Sequence, residues 1–358
     1  MSFNCISFDK LYILNDMSDT TFAVDIGEKY TRIADVVIKN KKVVISSLSE
    51  ELTVSNYFAD ESEKIIELQA EVMTKMTHDS KISKKNVHVV IPDSFCFAQV
   101  MEFARLNQKE LLSAVRYQAD QFIPLPIEEV VLDIEVVREN SVTKKNTILV
   151  VASPKKLVER IEKTIETAGF IPDSLESQLS AVTRFFSDVT VYADPHPSLY
   201  LVINFDFSTT SIYLLSMPGG ILLELRIVKT GYDLFIKELK FNLELQDNKA
   251  SEVLESVGFE KNGTYDLASF AGPLLRDLIN EMQKFIFISK DKYNLPVAKV
   301  ITCNLDNRIH AFDEKLSELL QLPVESLLMR DILINNPISQ SFSTKMSSFV
   351  GVISANIR

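Results

Sequence analysis

A strand, a polar turn and a second strand occur twice in this chain, half of its 358 residues apart. The first copy, FAVDIGEKYTRIADVV from Phe22 to Val37, sets Gly27 in a turn between two apolar runs, and a third strand follows at Val43 to Ser46. The second copy, LVINFDFSTTSIYLL from Leu201 to Leu215, leads through MPGG into the strand ILLELRI. Short apolar and β-branched runs bounded by polar residues and glycine read as strands, so each copy opens an antiparallel meander. Alignment without a gap puts Asp25 over Asn204, Gly27 over Asp206, Thr31 over Thr210 and Ile33 over Ile212. Solenoids repeat at periods of about 20 to 50 residues. One repetition at this long range instead predicts two related α/β domains, each with its own sheet.

The segments between and after the copies read as insertions. Leu111, Val115, Ala119 and Phe122 share one helical face, as do Leu157, Ile161, Ile165 and Ala168. Ser153 and Pro154 form a start signal for the second of these helices, and Gly169 can take the left-handed conformation that closes it. The first helix ends at FIPLPI, where Pro124 and Pro126 forbid helix and favour an extended path into the alternating strand Val130, Leu132, Ile134, Val136. With a strand at Thr147 to Ala152, this stretch is expected to be a small inserted α/β subdomain. After Pro273 a helix aligns Leu275, Leu278, Met282 and Phe285, ahead of the strand AKVITCN at Ala298 to Asn304 and a closing amphipathic segment, Phe349 to Arg358. The expected boundaries are 20–92 with 178–196 for the first lobe and 93–177 for its inserted subdomain. The second lobe takes 197–232 with 297–358, and its helical insertion takes 233–296.

Charge narrows the partners. The net charge of −11, from 38 basic and 49 acidic residues, repels nucleic acid and anionic lipid. Cys5, Cys96 and Cys303 lack the spacing of a zinc site or a disulfide framework, and His78, His88, His196 and His310 are scattered, so no metal site is expected. No apolar run reaches the roughly 18 residues of a membrane span, and the first twenty residues lack the pattern of a secretory signal. A cytoplasmic protein without direct membrane insertion is the expectation.

Two domains that each open with strand, polar turn and strand match the plan of actin-like (ribonuclease H-like) nucleotide-binding proteins, in which backbone N–H groups of the turns cradle phosphates and an aspartate holds hydrated magnesium. Asp25, Gly27 and Thr31 suit that role in the first copy, and Ser208, Thr209 and Thr210 keep the polar character of the second. An Asp-Ile-Gly triplet is also common in plain hairpins. The second copy departs where Asn204 replaces the metal-holding aspartate and Asp206 replaces the close-approach glycine. A carboxylate meeting a phosphate at contact costs on the order of 4 kcal/mol at an effective dielectric near 20. The strand ending at Asn304 continues as LDN to Asn307, without the glycines of an adenine loop.

AVDIGEKYTRIADV, ELLSAVRYQADQFIPLPIEEVVLDIEVV, VVASPKKLVERIEKTIETAGF and FVGVISANIR together resemble the PilM family, actin-like components of type IV pilus assembly machines related to the division protein FtsA. The resemblance implies duplicated actin-like domains with an FtsA/PilM-type subdomain inserted in the first. It also implies an adaptor at the inner membrane that binds the cytoplasmic tail of a PilN-like bitopic protein, in a groove between the first lobe and its insertion. Tyr117, Phe122, Ile123, Pro124, Leu125 and Pro126 are expected near that groove, since prolines present a fixed apolar edge to an extended peptide; a helix end packed in a core reads the same way. Members of the family bind ATP with magnesium; the departures at Asn204, Asp206 and Asn304 to Asn307 predict that nucleotide binding here is weak or lost and that no catalytic residue is present. An ATP-binding, FtsA-like filament tether and a sugar or acid kinase are the alternatives. Self-association and the choice among pilus, competence and secretion machines are left open.

Overall fold

The computed structural model describes residues 20–39, 42–140, 143–188, 197–261, 265–306, 308–329 and 332–357. Cys5, His196, Asn307 and Arg358, named above, lie outside the described residues. In chain order the elements are β1 (Thr21–Ile26), β2 (Tyr30–Lys39), β3 (Lys42–Leu52), α1 (Glu63–Asp79), β4 (Asn86–Ile91), β5 (Phe97–Ala104), α2 (Gln108–Ala119), β6 (Val130–Asn140), β7 (Lys145–Pro154), α3 (Lys155–Thr167), β8 (Ile171–Ser177) and α4 (Gln178–Asp188). There follow β9 (Ser198–Phe205), β10 (Thr210–Met217), β11 (Ile221–Val228), α5 (Tyr232–Leu243), α6 (Asp247–Ser256), α7 (Leu267–Phe270), α8 (Gly272–Asp291), β12 (Val297–Cys303), α9 (Phe312–Leu320), β13 (Val324–Ser326), α10 (Pro337–Ser341) and α11 (Val350–Asn356).

The chain forms two compact units, Met1–Phe185 with Ile332–Gln340 and Gly351–Arg358, and Phe186–Asp331 with Ser341–Val350. The first contains a five-stranded sheet of order β3-β2-β1-β4-β8, and the second one of order β11-β10-β9-β12-β13. In each, three antiparallel strands are followed by two parallel ones, so the connectivity is the same twice over. The registers agree residue by residue. Asp25 pairs with Arg32 and Val24 with Ile33, while Asn204 pairs with Ser211 and Ile203 with Ile212, as the gapless alignment requires.

Each unit has its own core. In the first, Phe22, Val24 and Ile26 of β1 pack with Val87 and Val89 of β4 and with Leu157, Ile161 and Ile165 of α3. In the second, Leu275, Leu278, Met282 and Phe285 of α8 cover the sheet as the periodicity predicted, and Phe205, Phe235, Phe259 and Phe312 pack ring against ring. The insertion in the first unit is a three-stranded sheet, β5-β7-β6, with α2 on one face.

Four sequence expectations are corrected. The boundary 93–177 includes too much, because β8 joins the five-stranded sheet beside β4 and the apolar face of α3 packs in the same core. Residues 297–358 do not all belong to the second lobe. Leu333 bridges Val43, Asn336 donates to the Ile45 carbonyl at 2.8 Å, and the Asn356 side chain accepts from Val36 N–H at 2.7 Å and donates to the Thr21 carbonyl at 3.0 Å. These bonds satisfy backbone groups of β1, β2 and β3, so the closing residues complete the first unit. The closing segment is not amphipathic either, since every residue of α11 is buried. At the start of α3 the N-cap position is Pro154, and the Ser153 hydroxyl bonds instead to Cys96 Sγ at 3.2 Å; Gly169, with φ +83°, closes the helix as expected.

Candidate functional site

The turn from β1 to β2 is closed by Gly27 N–H donating to the Tyr30 carbonyl at 3.0 Å, and a Cβ on Gly27 would stand 2.6 Å from that same oxygen. The glycine is therefore required by the turn itself. Behind the turn runs a buried chain of hydrogen bonds. Gln69 Nε2 donates to Thr31 Oγ1 at 2.8 Å, Thr31 Oγ1 lies 2.9 Å from Thr53 Oγ1, and Thr53 donates to the Gly27 carbonyl at 2.7 Å. Thr53 has one proton and places it on Gly27, so Thr31 is the donor between the two hydroxyls. Thr31 is wholly engaged inside the protein. Asp25, 2% exposed, faces Arg32 across the hairpin, with its Oδ2 4.0 Å from the guanidinium, and Arg32 Nε donates to Glu50 at 2.8 Å. The aspartate expected to hold a hydrated metal thus sits beside a buried cation.

The second turn repeats the backbone bond, with Asp206 N–H donating to the Thr209 carbonyl at 2.9 Å. Its side chain does not reach outward: Asp206 Oδ1 accepts from Phe207 N–H at 2.7 Å. Gly231 allows the start of α5 to press on the turn, where a Cβ would stand 2.4 Å from the Phe207 carbonyl. Tyr232 N–H and Asp233 N–H, at the head of α5 where amides have no carbonyl within the helix to bond, donate to the carbonyls of Asp206 and Phe207 at 3.1 and 2.9 Å. Such amides bind phosphate in anion sites; here the turn uses two of them. Thr209 is buried, Ser208 is half-buried, and Thr210 Oγ1 donates to the Thr230 carbonyl at 2.6 Å. Asn204, 1% exposed, has no hydrogen-bond partner for either amide atom among the described residues.

The segment after β12 is tied down as well. Asn304 and Asp306 adopt left-handed backbone, with φ +61° and +40°. Asn304 N–H donates to Ser347 Oγ at 3.0 Å, and the Asp306 carboxylate accepts from Ser347 N–H, Ser347 Oγ and Ser348 N–H at 3.2, 2.5 and 2.7 Å. Where an adenine loop would leave its backbone open, this strand exit is bonded to the segment leading into α11. Asp206 and Asp306 thus each occupy backbone donors of their own unit, while the Asn204 amide is left without a hydrogen bond among the described residues.

The docking residues predicted from FIPLPI divide. Ile123 is 4% exposed and packs with Ala119, Val130 and Ala152, filling the space between α2 and the sheet, and Phe122 is half-buried against the same core. Leu125 is half-buried there; Pro124, Pro126 and Tyr117 are exposed, Tyr117 at 86%. Among the described residues, no helix of the insertion packs on the opposite face of the sheet. Its cross-strand rows are Ala98, Val151 and Asp133, then Val100, Leu149 and Glu135. Val131 and Val151 on this face meet the core that holds the half-buried Phe58 and Phe95, whose rings stack at 4.4 Å. An apolar strip beside the first sheet, edged by two carboxylates on β6, is the result.

With this geometry established, comparison with known proteins decides the family. The profile described as type IV pilus assembly protein PilM matches residues 23–340. The chain belongs to the PilM family. Among solved structures, the PilM-PilN type IV pilus biogenesis complex superposes with a TM-score of 0.79 at 18% identity, over 95% of this chain and 98% of that one. The ethanolamine utilization protein EutJ from Carboxydothermus hydrogenoformans follows at a TM-score of 0.45 and 12% identity, over 94% of this chain and 88% of that one. The fold is the one seen in that PilM-PilN complex, here two units whose five-stranded sheets share one strand order.

Sequence reading alone does not single out Arg32, Thr53, Gln69, Asp306 or Ser347. Arg32 had a signal, being a charge at a position that the hairpin register places opposite Asp25. Asp306 had none, because its partners lie about 40 residues on, in a segment with no motif. Among the described residues no group of three or more His, Cys, Asp or Glu is placed to hold a metal, and no helix is long and apolar enough to cross a membrane. Cys96 and Cys303 are buried free thiols, and burial pushes the Cys96 pKa up to about 12.

Proposed function

We propose that this PilM-family protein is an adaptor of a type IV pilus or related secretion or competence machine, held at the cytoplasmic face of the inner membrane by the tail of a PilN-like bitopic protein. Family membership over residues 23–340, with the likeness to a PilM-PilN complex, carries the reading. The docking surface is the strip formed by Ala98, Val100, Val131 and Val151 on the face of β5-β7-β6 away from α2. Cytoplasmic segments next to a membrane span are rich in Lys and Arg. Asp133 and Glu135 along β6 suit such a tail, and an extended peptide suits a strand at a sheet edge.

Nucleotide is not part of this activity: binding of ATP with magnesium is weak or lost, and no hydrolysis occurs. The support is the use of the turn and loop donors by Asp206 and Asp306, and the pairing of Asp25 with Arg32. Calorimetry tests both statements on the purified protein, first with Mg-ATP and then with the N-terminal peptide of the bitopic partner. Peptide binding with a silent nucleotide titration is expected. Micromolar Mg-ATP affinity would overturn the second statement, and a silent peptide titration the first.

A further inference from the structure

The chemistry of the strand exit at Asn304 to Arg308 goes further than the loss of a ligand. Two consecutive backbone N–H groups, at Ser347 and Ser348, converge on one carboxylate with the Ser347 hydroxyl beside them. Consecutive amides aimed at one point are the usual protein device for holding an anion, and charge-assisted bonds of this kind are roughly twice as strong as neutral ones. The anion here belongs to the chain. Asn304 N–H on Ser347 Oγ, and Arg308 within 3.5 Å of Ser348 Oγ, fasten the same two segments on either side of it. Ser347 and Ser348 are buried, at 4% each, and Asp306 is half-buried over them.

We propose that Asp306 is a built-in ligand of the second unit. It holds the turn Ser343–Phe349, and with it the entry to α11, in one conformation whether or not nucleotide is present. This rests on the reading that nucleotide is not needed, and it names the residue responsible. The consequence is an adaptor without a nucleotide-gated state at this loop: the segment does not open and close with ligand because its anion never leaves.

Hydrogen exchange of the full-length protein, followed by mass spectrometry over 341–350, tests the idea. In the wild type the Ser347 and Ser348 amides are expected to exchange slowly, at a rate unchanged by millimolar Mg-ATP. Asp306→Ala should speed their exchange about ten- to a hundredfold, and orthophosphate at tens of millimolar should restore part of the protection by entering the vacated nest. Asp306→Asn, which keeps one acceptor oxygen and loses the charge, should fall between the two and guards against an alanine variant that does not fold. Fast exchange in the wild type that Mg-ATP slows would overturn the proposal, as would unchanged protection in a folded Asp306→Ala or Asp306→Asn protein. Calorimetric ATP binding with no change in exchange would instead refute the nucleotide reading and leave the Asp306 contact standing.

Discussion

Thr31→Val separates a structural role for the first turn from a ligand-binding one. The substitution keeps the shape of the side chain and removes a hydroxyl that accepts from Gln69 Nε2 at 2.8 Å and donates to Thr53 at 2.9 Å in a fully buried site. Thr53 keeps its bond to the Gly27 carbonyl, and Gln69 Oε1 still accepts from Val54 N–H at 2.9 Å. The main loss is one amide proton of Gln69 left without an acceptor, and an unmet buried donor costs about 1 to 3 kcal/mol. At about 2 kcal/mol, and 2 to 4 °C per kcal/mol for folding units of roughly this size, the transition of the first unit should fall by about 4 to 8 °C. Differential scanning calorimetry without ligand measures it. Gln69→Leu should also destabilise, by orphaning Val54 N–H, and the double variant should be less damaged than the sum by about 1 kcal/mol, because the two groups then no longer leave each other unsatisfied. A folded Thr31→Val protein whose Tm moves by less than about 1 °C would refute the reasoning.

Four other outcomes are expected. Asn356→Ala removes the acceptor of Val36 N–H and the donor to the Thr21 carbonyl, both buried, and should lower stability by about 2 to 5 kcal/mol in urea unfolding. The pair Asp133→Lys and Glu135→Lys should weaken binding of the basic tail peptide about tenfold at low salt, the effect shrinking as ionic strength rises. Tyr117→Ser, at a position outside both cores of the insertion, should leave Tm within about 1 °C and peptide affinity unchanged. Cys96 should resist iodoacetamide in the folded protein at pH 8 and react once unfolded. Since its pKa is raised to about 12 on folding, the associated stability is fully present below about pH 8.5, the unfolded thiol value, and is lost as pH climbs toward 12, which alkaline melting curves can follow.

Much of the fold was legible because local patterns survive into the structure. The hairpin of β1 and β2 and that of β9 and β10 have turns of equal length, so the gapless pairing of Asp25 with Asn204 carried the register of both sheets. The apolar faces of α3 and α8 were readable for the same reason: helical spacing depends on neighbours in the chain. What failed depends on distant partners. Nothing in IPDSLES says that β8 lies beside β4 instead of in the insertion, and nothing in FVGVISANIR says that Asn356 satisfies backbone groups more than 300 residues earlier. Ile123 failed for a related reason. A proline-bounded helix end looks alike whether it faces solvent or a core, and only the position of β6 and β7 settles which.

The candidate site was legible as a motif, and Gly27 shows that such a motif does not by itself fix the chemistry. Its absence of a side chain is needed by the Tyr30 carbonyl 2.6 Å from a notional Cβ, so the turn requires this glycine with or without a ligand. The same holds for Thr31, whose hydroxyl bonds the side chains of Gln69 and Thr53, and for Thr210, whose hydroxyl donates to the Thr230 carbonyl. A phosphate-binding turn and a ligand-free one can therefore share these residues. They differ in where the remaining donors point, and that is set by side chains such as Asp206, Asp306 and Arg32, which bring into the protein the charges that a bound ion would otherwise supply. A bound nucleotide must be released and replaced, so it can signal. A covalently attached carboxylate cannot leave, so on the proposed reading the loop after β12 keeps one state.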